Sequence, residues 1–309
     1  MSAVTQAQAD KAEAASTTSP TRNRSLPAAV RQALRRNRVA QVAVLIIALV
    51  ILVGVFGPLV APHEPEAQDL AARLKPPAWI KGSAPGHFLG TDNLGRDVLS
   101  RIIYGTRISL LVGISATLLS GVIGTVIGVV SGFYRGWIDI VFMRIADVQL
   151  SFPTILLALV IVAVVGSSLP FVIVVLGITG WVTYARVLRA EVLSLRSREY
   201  VTAARAVGVG DLSIMRRHLL PNVLAPLLTI GTLQVASMIV AEASLSYLGL
   251  GVPPTVPTWG GMISTGQLYI RTGWWIAVFS GLAIMLTTLA INVTGDMLRD
   301  VADPKAYRQ

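Results

Sequence analysis

One carboxylate stands inside an otherwise uncharged run: Glu242, between Asn222 and Tyr247. Holding an acidic side chain at the centre of a bilayer costs about 2.5–3.5 kcal/mol on insertion scales. A group kept there carries protons or substrate, or else closes hydrogen bonds near a helix end. Ser244 and Ser246 beside it would serve as partners in the second case, so a structural or gating role is expected. Arg144 and Asp147 stand three residues apart, the spacing of an ion pair along one helix.

Other chemistries lack their residues. Cysteine is absent, which removes disulfides, thiol catalysis and Cys-ligated zinc. The lysines are Lys11, Lys75, Lys81 and Lys305, and no glycine precedes any of them. A phosphate-binding P-loop needs Gly-Lys-[Ser/Thr], so this chain supplies none. No Gly-x-Ser-x-Gly elbow occurs, and an intramembrane hydrolase finds no nucleophile–base pair. His63, His87 and His218 lie far apart in sequence, on opposite sides of the predicted membrane, and predict no shared metal site. Pro65 breaks any helical metal geometry around His63, Glu64 and Glu66.

The elements that must position these groups follow from composition. The chain has 309 residues, 53% hydrophobic and 14% charged, with a mean hydropathy of +0.67. Soluble domains carry about 25% charged residues, so an all-α integral membrane protein is expected. Residues 1–38 are polar and read as a disordered basic tail ending in the Arg31–Arg38 cluster. Val39–Val60 is uncharged and, at about 1.5 Å per residue, long enough to cross about 30 Å of hydrocarbon. That exceeds a signal-peptide core, so it is read as a retained span. The proline-rich segment 61–107 is extramembrane, and Ile108–Gly132 is a second crossing. Within it Ser120, Gly124, Gly128 and Gly132 recur every fourth residue, a small-residue strip for close helix packing.

The uncharged run from Val148 to Ala185 breaks at 166–170 into crossings three and four, the third starting early enough to include Arg144 and Asp147. Segment 186–221 is charged and carries short helices broken at Gly208 and Gly210. Asn222–Tyr247 is the fifth crossing, 248–273 a Gly/Pro-rich loop, and Trp274–Gly295 the sixth crossing. The six tryptophans mostly flank spans, as an interfacial belt would. With the N-terminus inside, the inner segments hold 19 of the 26 Lys and Arg and the outer segments 7. The positive-inside rule therefore puts both termini in the cytosol. The net charge of +10 marks membrane margins, not a nucleic-acid groove.

The domain reading is a tail 1–38, a first span with its external segment 39–107, a core 108–296 and a cytosolic tail 297–309. The cytosolic loop 186–221 is too long to lack a task. Ala203, Ala204 and Gly208 form a low-bulk knob fit for a cleft in another protein. Arginines flank the knob, and Leu219 and Leu220 lie beneath it.

These residues carry a resemblance. Ala203-Ala204, then Gly208, then His218-x-Leu220-Pro221 follow the spacing of the "EAA" loop of binding-protein-dependent ABC importer permeases. The consensus is Glu-Ala-Ala-x3-Gly-x9-Ile-x-Leu-Pro. Thr202 replaces its Glu and His218 its Ile, which puts any role of the leading carboxylate in doubt. The string His87 to Arg101, followed by Tyr104 to Leu110, is similar to the C-type permease subunits of dipeptide, oligopeptide and nickel importers. So are Glu242 to Gly251 and the ending Asp296 to Asp300. The likeness covers roughly residues 30 to 305.

The resemblance implies a six-helix type I importer permease in a bacterial inner membrane, forming half of a pathway for peptides or similar small solutes. Its implied partners are a homologous second permease, two ATPase subunits or domains, an extracytoplasmic substrate-binding protein and membrane lipid. ATP and Mg would sit on the partner ATPases, with no cofactor on this non-catalytic chain. The coupling loop would comprise Ala203, Ala204, Gly208, Asp211, Leu220 and Pro221, the last two anchoring it to the fifth span. Gly124, Gly128 and Gly132 would pack helices, and Glu242 would be a gate or structural group. An ion-coupled secondary transporter with Glu242 or Asp147 as proton carrier is the alternative.

Overall fold

The computed structural model describes residue 34 and residues 37–302. Ten α-helices are described: α1 Arg38–Val60, α2 Val98–Tyr134, α3 Gly136–Leu150, α4 Thr154–Val165, α5 Leu169–Arg196, α6 Glu199–Ala206, α7 Asp211–Ile214, α8 Leu220–Tyr247, α9 Trp259–Gln267 and α10 Trp274–Ala302. A π-helical turn, Met215–Leu219, joins α7 to α8. Among the described residues there is no strand, only an isolated bridge between Thr91 and Asp97. Five helical stretches are individually long and apolar enough to span a membrane. The pair α3 and α4, bent by 89° at its break, adds a sixth when counted as one span. The residue before a proline is driven out of helical geometry, and Pro153 sits at that bend.

The bundle has two unlike faces. One carries the 197–219 segment. The other carries a cap made of residues 61–97 and 248–273, and α9 is helical within the latter, where a loop is expected. A glycine-rich stretch reads as loop from composition, but Thr258 Oγ1 accepts from Gly261 N at 3.0 Å and starts the helix. The last helix likewise runs past Gly295 to Ala302; the remainder of the 297–309 tail and nearly all of 1–38 lie outside the described residues.

Small residues set the closest helix contacts. In α1 the fully buried positions are Ala40, Ala43, Gly54 and Gly57, with Val44, Ile46, Ile47, Val50 and Val53 half-buried and the rest of its apolar surface facing outward. Helices in lipid gain nothing by burying apolar bulk against one another, so close backbone approach decides packing. The strip on α2 does this against α5. A Cβ on Gly124 would stand 2.5 Å from the Trp181 carbonyl, one on Gly128 2.7 Å from the Ala185 carbonyl, and one on Gly132 2.8 Å from Val192 Cβ. Ser120, one turn earlier, donates to the Gly177 carbonyl at 2.8 Å. On another face of α2, Gly113 admits Ile239 of α8.

The aromatic belt is only half realised. Trp79, Trp137 and Trp274 are open, but Trp181, Trp259 and Trp275 are buried. Each buried indole has an internal acceptor: Gln149 Oε1 at 2.8 Å, the Ile102 carbonyl at 3.1 Å and the Thr91 carbonyl at 2.9 Å, respectively. An indole with a bonded N–H loses its reason to sit at the interface.

Candidate functional site

The 197–219 segment is built from beneath. Val201 and Ala204 of α6, Ile214 of α7 and Met215 and Leu219 of the π-turn are buried with Phe133, Leu188, Val192 and Leu195 in one apolar cluster. Helical spacing brings Val201 and Ala204 to the same side of α6. Arg205 lies over the Phe133 ring at 4.7 Å. The two expected knob alanines therefore divide: Ala203 is exposed and Ala204 is core. The leucine pair expected beneath the loop divides as well: Leu219 is fully buried, and Leu220, on the first turn of α8, is 36% exposed. The π-turn rotates the register by which a leucine pair meets the bundle, which linear spacing does not reveal. Pro221, at the N-terminus of α8, is exposed, where a missing N–H is tolerated.

Gly208 ends the α6 arm with φ +80°, a region open to glycine, and its missing side chain would point into open space. Its N–H donates to the Arg205 carbonyl at 3.0 Å. Asp211 is exposed in the first turn of α7. Around this bend stand two exposed hydrophobes, Val207 at 79% and Leu212 at 64%. Motif matching passed over them because they occupy the variable positions of the spacing. A bend of this kind, stiff below and apolar above, is suited to seat in a cleft of another protein.

Glu242 is fully buried one turn short of the cap end of α8. Ser246 Oγ donates to its Oε1 at 2.7 Å, and Ser109 Oγ on α2 lies 3.4 Å from its Oε2. Ser244 instead bonds the Val240 carbonyl at 2.8 Å. The carboxylate thus bridges α8 to α2. Asp147 does not pair with Arg144: it meets Arg186 of α5 at 2.5 Å, and Asp139 binds Arg189 one turn further along. The bend after α3 turns that helix to face α5, so the long-range partner displaces the local one.

The string His87 to Arg101 folds as a knot over the start of α2. Asp92 Oδ1 accepts from the N–H groups of Leu94 at 2.8 Å and Arg96 at 3.0 Å, and its Oδ2 from Arg96 Nε at 2.7 Å. Arg101 stands 3.7 Å from the same oxygen and donates to the Pro65 carbonyl at 3.2 Å. Gly95, at φ +75°, abuts the Asp69 backbone so closely that no side chain fits. His63 and His87, expected apart, stack here at 4.6 Å between ring centroids. Within the bundle, Thr179, Thr183, Gln234, Ser237, Thr288 and Asn292 line a cavity of about 470 Å³ between α5, α8 and α10.

The chain's likeness to known proteins agrees with this architecture. Residues 124–308 match the family described as binding-protein-dependent transport system inner membrane component, and residues 25–77 the N-terminal TM domain of oligopeptide transport permease C. The Di/tripeptide transport system permease protein DppC of Pseudomonas aeruginosa is 41% identical over 89% of this chain and 90% of its own length. The dipeptide transport system permease protein DppC of Escherichia coli K12 is 42% identical over 88% and 90%. A chain of the MetNI methionine ABC transporter, solved in inward-facing conformations, superposes with a TM-score of 0.52 at 20% identity, covering 65% of this chain and 96% of that one. That last likeness speaks to the fold alone.

Proposed function

The chain belongs to the binding-protein-dependent transport system inner membrane components, and from that premise we propose that it is the permease subunit of an ATP-driven importer of di- and oligopeptides or similar small solutes. It is a multi-pass membrane protein and a transport subunit without chemistry of its own. A homologous second permease completes the pathway, and an extracytoplasmic binding protein delivers the solute. The cavity between α5, α8 and α10, apolar over most of its lining but carrying Gln234, Ser237 and Asn292, is the part of the pathway this subunit contributes, since polar side chains at membrane depth face a cavity or another protein.

The observation that carries the reading is the bend at Gly208, stiffened by Val201, Ala204 and Leu219 below and open at Val207 and Leu212 above. It lies on the cytosolic side by the charge asymmetry of the connecting segments. Two ATPase subunits or domains, holding ATP and Mg, receive this bend and its counterpart. Their closure draws the two bends together and swings the helices from inward-open to outward-open. Ala203, Gly208 and Asp211 belong to the docking face, and Ala204, Leu220 and Pro221 to its support and exit into α8.

Replacing Gly208 with tryptophan tests this. The added side chain meets nothing within this chain, but any residue other than glycine is strained at φ +80°. Gly208→Ala, which carries the same backbone strain without the bulk, is therefore the control. The tryptophan variant alone is expected to lose the ATPase on co-purification and to lose transport. Retention of both sinks the docking role. Uptake into vesicles driven by a proton gradient without ATP would instead favour the ion-coupled reading.

A further inference from the structure

We propose that His63, His87 and Asp97 form a binding site for a divalent cation of the zinc class, clamping the cap onto the start of α2. The imidazoles and the carboxylate each offer a ligand atom, all within 4.8 Å of one another. His87 Nδ1 lies 2.9 Å from Asp97 Oδ1, and His63 Nδ1 3.8 Å from Asp97 Oδ2. Donors bound tetrahedrally at about 2.0–2.1 Å stand about 3.3 Å apart, so the His–Asp separations lie near that value and the cluster, up to 4.8 Å across, draws together on loading.

Three further observations point to a cation. The Asp97 side chain is wholly buried, and among the described residues only histidines pair with it as possible counter-charges. A buried carboxylate demands compensation. His63 Nδ1 is buried without any hydrogen-bond partner, although the rest of its ring reaches solvent at 38% exposure. An unused lone pair beside a desolvated carboxylate is a vacant ligand, and the exposed ring edge is an entry path. The outer shell is in place as well: Ser100 donates from N at 2.8 Å and from Oγ at 2.7 Å to Asp97 Oδ2, and His63 N donates to Ser100 Oγ at 3.0 Å. Such contacts fix ligand orientation in metal sites.

The donor set, two imidazoles and one carboxylate, selects zinc, cobalt or nickel over magnesium or calcium. Loading turns the His87 Nδ1 lone pair to the ion, and the proton of its present hydrogen bond moves to Nε2. Water completes the coordination. The ion would tie together the chain just past α1, the loop carrying His87 and the N-cap of α2. This site does not depend on the transport reading.

Titrating the purified full chain in detergent with Zn²⁺ alone is expected to show one equivalent bound and a raised melting temperature, and Co²⁺ to give visible d–d absorption. His63→Ala is the decisive variant, because its imidazole makes no hydrogen bond and its loss leaves the Asp97 cap intact. It should weaken Zn²⁺ binding about tenfold or more and abolish the Co²⁺ spectrum, with His87→Ala behaving alike. No stoichiometric binding by the parent chain, or equal binding by parent and His63→Ala, overturns the proposal.

Discussion

The two ends of the bundle handle charge in opposite ways. At the cap, Asp92, Arg96, Asp97, Ser100 and Arg101 are buried and bound to one another or to nearby backbone. At the other end, Arg198, Arg205, Arg216 and Arg217 are exposed, and no carboxylate among the described residues pairs with them. Apolar groups follow the same division: Trp259 and Trp275 are enclosed at the cap, Val207 and Leu212 open at the bend. Apart from His63 Nδ1 and Asn93 Oδ1, the cap pairs its buried polar groups internally, while the bend leaves donors and apolar surface open. A highly specific motif can therefore be structural, and a weaker one can mark the place of exchange.

The contrast can be broken most forcefully at Asp92. Asp92→Ala leaves Arg96 and Arg101 buried without their shared carboxylate. Breaking a buried pair this way costs about 3–5 kcal/mol. The variant is expected to aggregate or to elute as unfolded protein in detergent chromatography; a normal profile would show that the cap is not a closed network. A smaller effect is expected at the glycine strip. Gly124→Leu drives a side chain into the Trp181 carbonyl, and overpacking costs about 1–3 kcal/mol. A lowered melting temperature and a weakened complex on native gels are expected, and unchanged assembly would refute the close α2–α5 contact. The smallest change in stability belongs to the bend. Val207→Asp places a charge on a surface position and should shift stability by no more than about 0.5 kcal/mol. ATPase co-purification should nevertheless fall sharply. If instead the fold suffers and docking survives, the assignment of the two ends is reversed.

Much of this was legible in the linear chain. The lengths of apolar runs locate six crossings because the bilayer imposes a minimum span, and the four-residue recurrence from Ser120 to Gly132 picks out one helix face. The break at Gly208 is written in the residue type that most readily takes its backbone angle. Glu242 could be named as exceptional, though not its reach to Ser109.

What linear order could not decide was which groups meet across the bundle. Asp147 finds Arg186 rather than Arg144 because a bend at Pro153 redirects α3. His63 meets His87 because the 61–97 segment doubles back over α2. Of the two leucines expected beneath the loop only Leu219 is buried, because one π-turn shifts the face of the helix. Hydropathy and local spacing are properties of neighbours along the chain, and they determined the spans, the small-residue strip and the glycine bend. Pairing between distant residues depends on the bends and on the registers of packed helices, and only the folded bundle supplies those.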